Sequence, residues 1–248
     1  MELTKEDRLL IAKTEDLRYR SEKTYSPVTG PFLDMRQRSM VQEHFRGAKD
    51  LAFIGGHEDA ERVMPVFCEY EVPEEDLIKA VRVTLPKGAF KLSHRDYLGS
   101  LMGLGITREK TGDILVYDTG ADIILDPGIL DFVLNEFTKV RNEHVQVSEI
   151  PLSELHVSDT DAESVRCFVS SLRLDNVVSA VFSVSRTKAS DAIRQGLVFV
   201  NDLETLKADH RISDGDKIVM RRKGRAIVRE TGDTSRKGRI IVKVDRYM

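Results

Sequence analysis

The sequence predicts an α+β protein: a small N-terminal α/β domain, a ferredoxin-like middle domain, and a basic C-terminal domain where short helices precede strands. Two observations carry this. From residue 80 to 150, apolar patterning alternates between strand and helix in the order β-α-β-β-α-β, the split βαβ arrangement. Charge is segregated: residues 173–248 hold 17 Lys and Arg against 10 Asp and Glu, while the rest of the chain carries 21 against 31. With 248 residues, 41% hydrophobic and 32% charged, the chain has enough apolar material for packed cores, which excludes disordered, collagenous and coiled-coil classes.

In chain order, Thr4 with Asp7 makes a capping box for a first helix carrying Leu9, Leu10, Ala12 and Leu17, broken by Ser26-Pro27 and Gly30-Pro31. Asp34 can cap a second helix bearing Met40, Val41, His44, Phe45 and Ala48, and Leu51 to Ile54 before Gly55-Gly56 reads as a strand. These fill an N-terminal domain, residues 1–75. The middle domain, residues 76–165, comprises strand 80–85, helix 93–102, strands 114–117 and 122–125, helix 127–140 and strand 145–150. Its joints are a Ser93/Asp96 capping box, an Asp118-Thr119-Gly120 hairpin and an Asp126-Pro127 helix start. This topology is RRM-like, yet strand 121–125 has no aromatic residue on which a base could stack. Residues 170–248 form the third domain: a helix carrying Leu172, Leu174, Val177, Val178, Val181 and Phe182; a helix 186–195 capped by Ser185; then strands 197–200, 217–220, 226–228 and 240–244. The last two are expected to join through Thr231-Gly232-Asp233.

No run approaches the ~20 apolar residues of a membrane span, and the first seven residues lack the order of a signal peptide, so a cytoplasmic location is expected. Cys68 and Cys167 lie 99 positions apart without a third partner, which argues against a disulfide framework or thiolate metal site; two reduced thiols are expected. The six histidines show no ligand spacing, so neither metal nor cofactor is expected. Gly103 to Thr111 ends in Lys-Thr, but Glu109 stands where a phosphate loop needs glycine, and helix exit is the preferred reading. His94-Arg95-Asp96 matches the catalytic tripeptide of protein kinases, but the other kinase elements are absent. No catalytic residue is therefore assigned. Arg221 to Met248 concentrates ten cations against three anions, as expected of a strand-like module that meets a polyanion; a merely solvated basic face is the structural alternative.

Arg173-Leu174-Asp175 matches the tripeptide that holds the catalytic aspartate of pseudouridine synthases, but Val178-Ser179-Ala180 replaces the Thr-Ser-Gly that follows there. Read together with Ser185-Arg186-x-x-Ala189, Ile193, Gly196, Val198-x-Val200-Asn201 and Gly215-Asp216-x-Ile218, it resembles the S4 RNA-binding domain over about 46 residues. Ala189 and Ile193 would pack the second helix on the first, leaving Arg186, Lys188 and Arg194 to project towards phosphates. The family often has glycine where this chain has Asp202.

The whole chain resembles the YlmH-type S4 proteins of Gram-positive bacteria. Supporting stretches are Gly30 to Asp34, Ala60 to Arg62, Ser93 to Gly99, Gly103 to Ile114 and Arg236 to Lys243. The resemblance implies a non-catalytic RNA-binding protein, linked to the large ribosomal subunit with tRNA, to rescue of stalled nascent chains and to cell-division gene neighbourhoods. Expected partners are ribosomal RNA, tRNA and the large subunit, with division proteins as a further candidate. Expected RNA-contacting residues are Arg173, Ser185, Arg186, Lys188, Arg194, Arg221, Arg222, Lys223, Arg236, Lys237 and Arg239. The rival readings are an RNA-modifying enzyme with an S4-like targeting domain and an interaction protein of the division machinery.

Overall fold

The structure, a computed structural model, describes residues 4–157, 163–235 and 238–247. It divides into two compact units, Met1–Ser158 and Asp159–Met248.

The first unit opens with α1 (Lys5–Thr24), where Thr4 accepts from the Asp7 N–H and Asp7 accepts from the Thr4 N–H. There follow β1 (Val28–Thr29), α2 (Met35–His44) with an Asp34/Gln37 capping box, β2 (Leu51–Ile54) and β3 (Met64–Phe67). The three strands form an antiparallel sheet of order β1-β3-β2. A short turn of helix, α3 (Glu74–Leu77), leads to β4 (Lys79–Thr84), α4 (His94–Gly103), β5 (Thr111–Tyr117), β6 (Gly120–Leu125), α5 (Leu130–Glu136), the small strands β7 (Lys139–Val140) and β8 (Glu143–His144), and β9 (Gln146–Ile150). The second sheet runs β5-β6-β4-β9, all antiparallel, which is the strand order of a ferredoxin-like domain.

Period-two alternation explains how the second sheet is covered. Ala121, Ile123 and Leu125 of β6 share a core with Tyr97 and Leu101 of α4 and Val133 of α5. On the opposite face, Ile124 packs with Phe32, Ile54, Met64, Val66, Leu152 and Leu155. Both faces of β6 are therefore buried, and the sheet that an RRM keeps open for bases is closed here along this strand. The helix expected over 127–140 is shorter. Asp126 and Pro127 open a 3-10 turn, α5 ends at Glu136, and β-branched Thr138 and Val140 enter the β7–β8 hairpin, whose turn holds Arg141 at positive φ.

The second unit contains β10 (Glu163–Val169), α6 (Leu174–Val181), α7 (Arg186–Arg194), β11 (Val198–Val200), β12 (Leu203–Glu204), β13 (Lys217–Met220), β14 (Gly224–Thr234) and β15 (Ile240–Tyr247). Its antiparallel sheet runs β10-β15-β14-β13-β11-β12. Leu174, Val177, Val178 and Val181 of α6 join Ala189, Ala192 and Ile193 of α7 and the inward residues of five strands in one core. Helix α7 ends in a Schellman motif: Gly196 takes φ +69°, its N–H donates to the Ile193 carbonyl, and the Leu197 N–H donates to that of Ala192.

Three local expectations are corrected. Residues 163–169, for which the sequence reading assigns no element, form strand β10. Leu172 precedes α6 instead of lying on it. Thr231-Gly232-Asp233 is not a turn but part of β14, which continues to Thr234 through register shifts against β15; beyond it the Ser235 N–H donates to the Arg239 carbonyl and the Gly238 N–H to that of Ser235. Asn201 and Asp202 both have positive φ in the β11–β12 hairpin, so Asp202 occupies the left-handed region that glycine would, and pairs with Lys217 at 2.9 Å.

Candidate nucleic-acid interface

The S4-like motif residues converge at the start of the two helices. Arg173 is the N-cap residue of α6, Ser185 caps α7, accepting from the Lys188 N–H at 3.2 Å, and Arg186 is the first residue of α7. Asp175, only 3% exposed, lies between the two arginines. Arg173 donates to it through Nε at 3.1 Å and Nη2 at 3.3 Å. Arg186 donates through Nε at 3.1 Å and Nη2 at 3.0 Å. The Asn176 N–H adds a bond of 3.0 Å. Burial pushes the Asp175 carboxyl up, but hydrogen bonds from Arg173 and Arg186 outweigh this and hold it below the usual carboxylate range. Asp175 thus anchors the starts of both helices.

The guanidinium groups are held but not enclosed. The Arg173 and Arg186 side chains are 44% and 57% exposed. Lys188 is exposed on the same helix, with no side-chain partner among the described residues, whereas Arg194 at its far end is paired with Asp191.

The remaining predicted cations divide by position. Arg221, Arg222 and Lys223 occupy the β13–β14 turn, which is tethered to the end of α7 because the Arg221 N–H donates to the Leu197 carbonyl at 2.9 Å. Arg221 lies 5.3 Å from the centroid of the Phe199 ring, and Arg222 and Lys223 are exposed. Arg239 is exposed in the turn before β15, near the Val169 end of β10 that leads into α6. Arg236 and Lys237 lie outside the described residues. Other cations of the β14–β15 hairpin face acids: Arg229 pairs with Asp245, Lys243 with Glu230, and Arg246 with Glu163. Net charge therefore overstates the cations available to a polyanion.

Sequence reasoning missed one part of this face. Residues 207–211 carry exposed Lys207, His210 and Arg211, and they are fastened to the start of α6: the Leu174 N–H donates to the His210 carbonyl at 2.8 Å and the Asp175 N–H to that of Ala208 at 3.0 Å. An isolated bridge pairs Arg173 with Arg211. These cations lie within the S4-like motif, but the fold is needed to bring them beside Arg173. Among the described residues no cluster of His, Cys, Asp and Glu is arranged to hold a metal, and no helix is long and apolar enough to cross a membrane.

Residues 172–218 match the S4 domain family, and residues 73–154 match the family described as "Putative RNA-binding domain in YlmH". The chain is 31% identical over 247 residues, 98% of this chain and 96% of the relative, to "Ribosome-associated protein quality control protein P2" of Bacillus subtilis (strain 168). Its fold is similar to that of a solved structure, "Cell division protein ylmH from Streptococcus pneumoniae", with a TM-score of 0.50 and 24% identity, across 62% of this chain and 96% of that one.

Proposed function

The chain belongs to the YlmH-type family of S4-domain proteins, and on that premise we propose that it is a non-catalytic, cytoplasmic RNA-binding protein acting in ribosome-associated quality control of stalled nascent chains. It docks its C-terminal unit on structured RNA, ribosomal RNA or tRNA, at the large ribosomal subunit. The observation that carries the reading is the pair of partly exposed arginine side chains fixed at the start of α6 and α7, with α7 also carrying exposed Lys188, which has no side-chain partner among the described residues. Rigid cationic groups at a helix start grip phosphates and set register on an RNA backbone without reading its sequence. In this reading the chain works as three segments, 1–75, 76–165 and 170–248, and the acidic first two face protein or tRNA.

Co-sedimentation of the full chain and of Arg186→Ala/Lys188→Ala with purified ribosomal subunits across a salt series tests this. With about six cations neutralising phosphates, log affinity falls against log salt with a slope of roughly −4 to −5. Salt-sensitive binding to the large subunit that the double variant loses supports the proposal. A slope near zero, or no binding to either subunit, removes it, and a division-protein complex that survives nuclease would then take precedence.

A further inference from the structure

We infer that Asp175, though an anion, is the positioning residue of the RNA-contacting face: it locks Arg173 and Arg186 into a fixed fork and so strengthens the grip on a polyanion. This rests on the RNA-docking reading above. A guanidinium has five N–H donors. Each arginine directs Nε and Nη2 at Asp175, so three N–H groups on each remain to meet phosphate oxygens. The carboxylate is almost fully buried and faces two cations, so the cluster of three keeps a net positive charge, and both arginine side chains remain partly open to solvent. A long side chain already held in one rotamer loses less freedom on binding, and phosphate recognition by arginine depends on fork geometry as well as charge. The Asp175 backbone N–H, bonded to the Ala208 carbonyl, ties the same fork to the loop carrying Lys207, His210 and Arg211. One residue thereby meets cations from three separate parts of the chain, its carboxylate holding Arg173 and Arg186 and its backbone N–H the loop of residues 207–211.

The sign of the effect distinguishes positioning from charge. By charge alone, Asp175→Asn removes an anion and tightens binding; by positioning, it weakens it. We would measure affinity of the full-length protein for purified large-subunit ribosomal RNA across a salt series, with circular dichroism verifying the fold of each variant. Asp175→Asn is expected to bind roughly tenfold more weakly, about one charge-assisted fork's contribution. Adding it to Arg173→Ala/Arg186→Ala is expected to cause no further loss. Arg173→Lys/Arg186→Lys keeps both charges and a partner for the buried carboxylate but not the planar fork; it is expected to weaken binding comparably, and it decides the matter if Asp175→Asn fails to fold. Affinity at or above that of the wild type in folded Asp175→Asn, or in the double lysine variant, would overturn the inference and leave the docking reading standing. No binding by the wild-type protein would overturn both.

Discussion

Replacing Asp122 by alanine should destabilise the first unit while leaving the fold of the second intact. Asp122 is fully buried on β6, and its carboxylate accepts from Arg82 Nε and Nη2, both at 2.9 Å, from the Tyr117 hydroxyl at 2.9 Å and from the His156 backbone N–H at 2.7 Å. Removing one partner of a buried ion pair costs about 3–5 kcal/mol, because the other charge stays desolvated. Arg82 remains 24% exposed and keeps the Glu154 carbonyl at 2.6 Å, which places the loss near the lower end, about 3 kcal/mol. For a unit of this size that corresponds to a melting temperature lower by roughly 6–12 °C. Thermal unfolding followed by circular dichroism measures the loss, and hydrogen exchange locates it: peptides from 4–157 lose protection while those from 163–247 do not. Burial pushes the Asp122 carboxyl up, but its bonds to Arg82, His156 and Tyr117 prevail and its pKa lies below the ordinary value. The stabilisation is therefore complete above the unfolded pKa of about 3.9 and fades as pH falls through the lower folded value, so wild type and variant converge in acid. A loss under about 1 kcal/mol, or no coupling in a double-mutant cycle with Arg82→Ala, would refute the reasoning.

Four further outcomes follow from the same geometry. Gly120→Ala would place a Cβ 2.0 Å from the Val83 carbonyl oxygen, so the β4–β6 pairing must shift; a clear fall in urea midpoint is expected, and an unchanged midpoint would contradict the register. Arg222→Ala/Lys223→Ala/Arg239→Ala should flatten the salt slope of RNA binding by about 2–3, at roughly 0.7–0.9 per lost phosphate contact, whereas Arg229→Ala/Lys243→Ala, which removes cations already facing acids, should change it far less. Cys68, half-buried, should react with a thiol reagent well before Cys167, which is buried and whose thiol pKa burial pushes up; equal rates would argue against that packing. Thr4→Ala should cost about 1 kcal/mol through loss of the α1 cap, read from chemical denaturation.

How far the sequence could be read depended on the range of the interactions involved. Helix α7 was legible because its determinants are local: Ser185 caps it, Ala189 and Ile193 lie one turn apart on its inner face, and Gly196 ends it. The ferredoxin-like alternation was legible for the same reason, each joint carrying its own turn residues. Strand β10 is not legible although Val165, Cys167 and Val169 alternate, because its partner, β15, lies more than 70 residues away. Thr231-Gly232-Asp233 has the residue types of a turn, and only cross-strand pairing with β15 overrides them. At the candidate site, Arg173, Asp175 and Arg186 were each visible, but their convergence depends on the α6–α7 turn that brings Arg186 back to Asp175. The acids facing Arg229, Lys243 and Arg246 were equally hidden in a count of charges.

The place of β15 bears on how the C-terminal cations can be studied. That strand is interior to its sheet, zipped to β10 on one side and to β14 on the other, and it supplies Val242 and Val244 to the core. Trimming the chain at about residue 239 would split the sheet into two pieces with raw edges and strip the core of its floor. A shortened protein that no longer binds RNA would report on a broken scaffold, so the contribution of these cations can be read only from side-chain replacements that leave the strand in place.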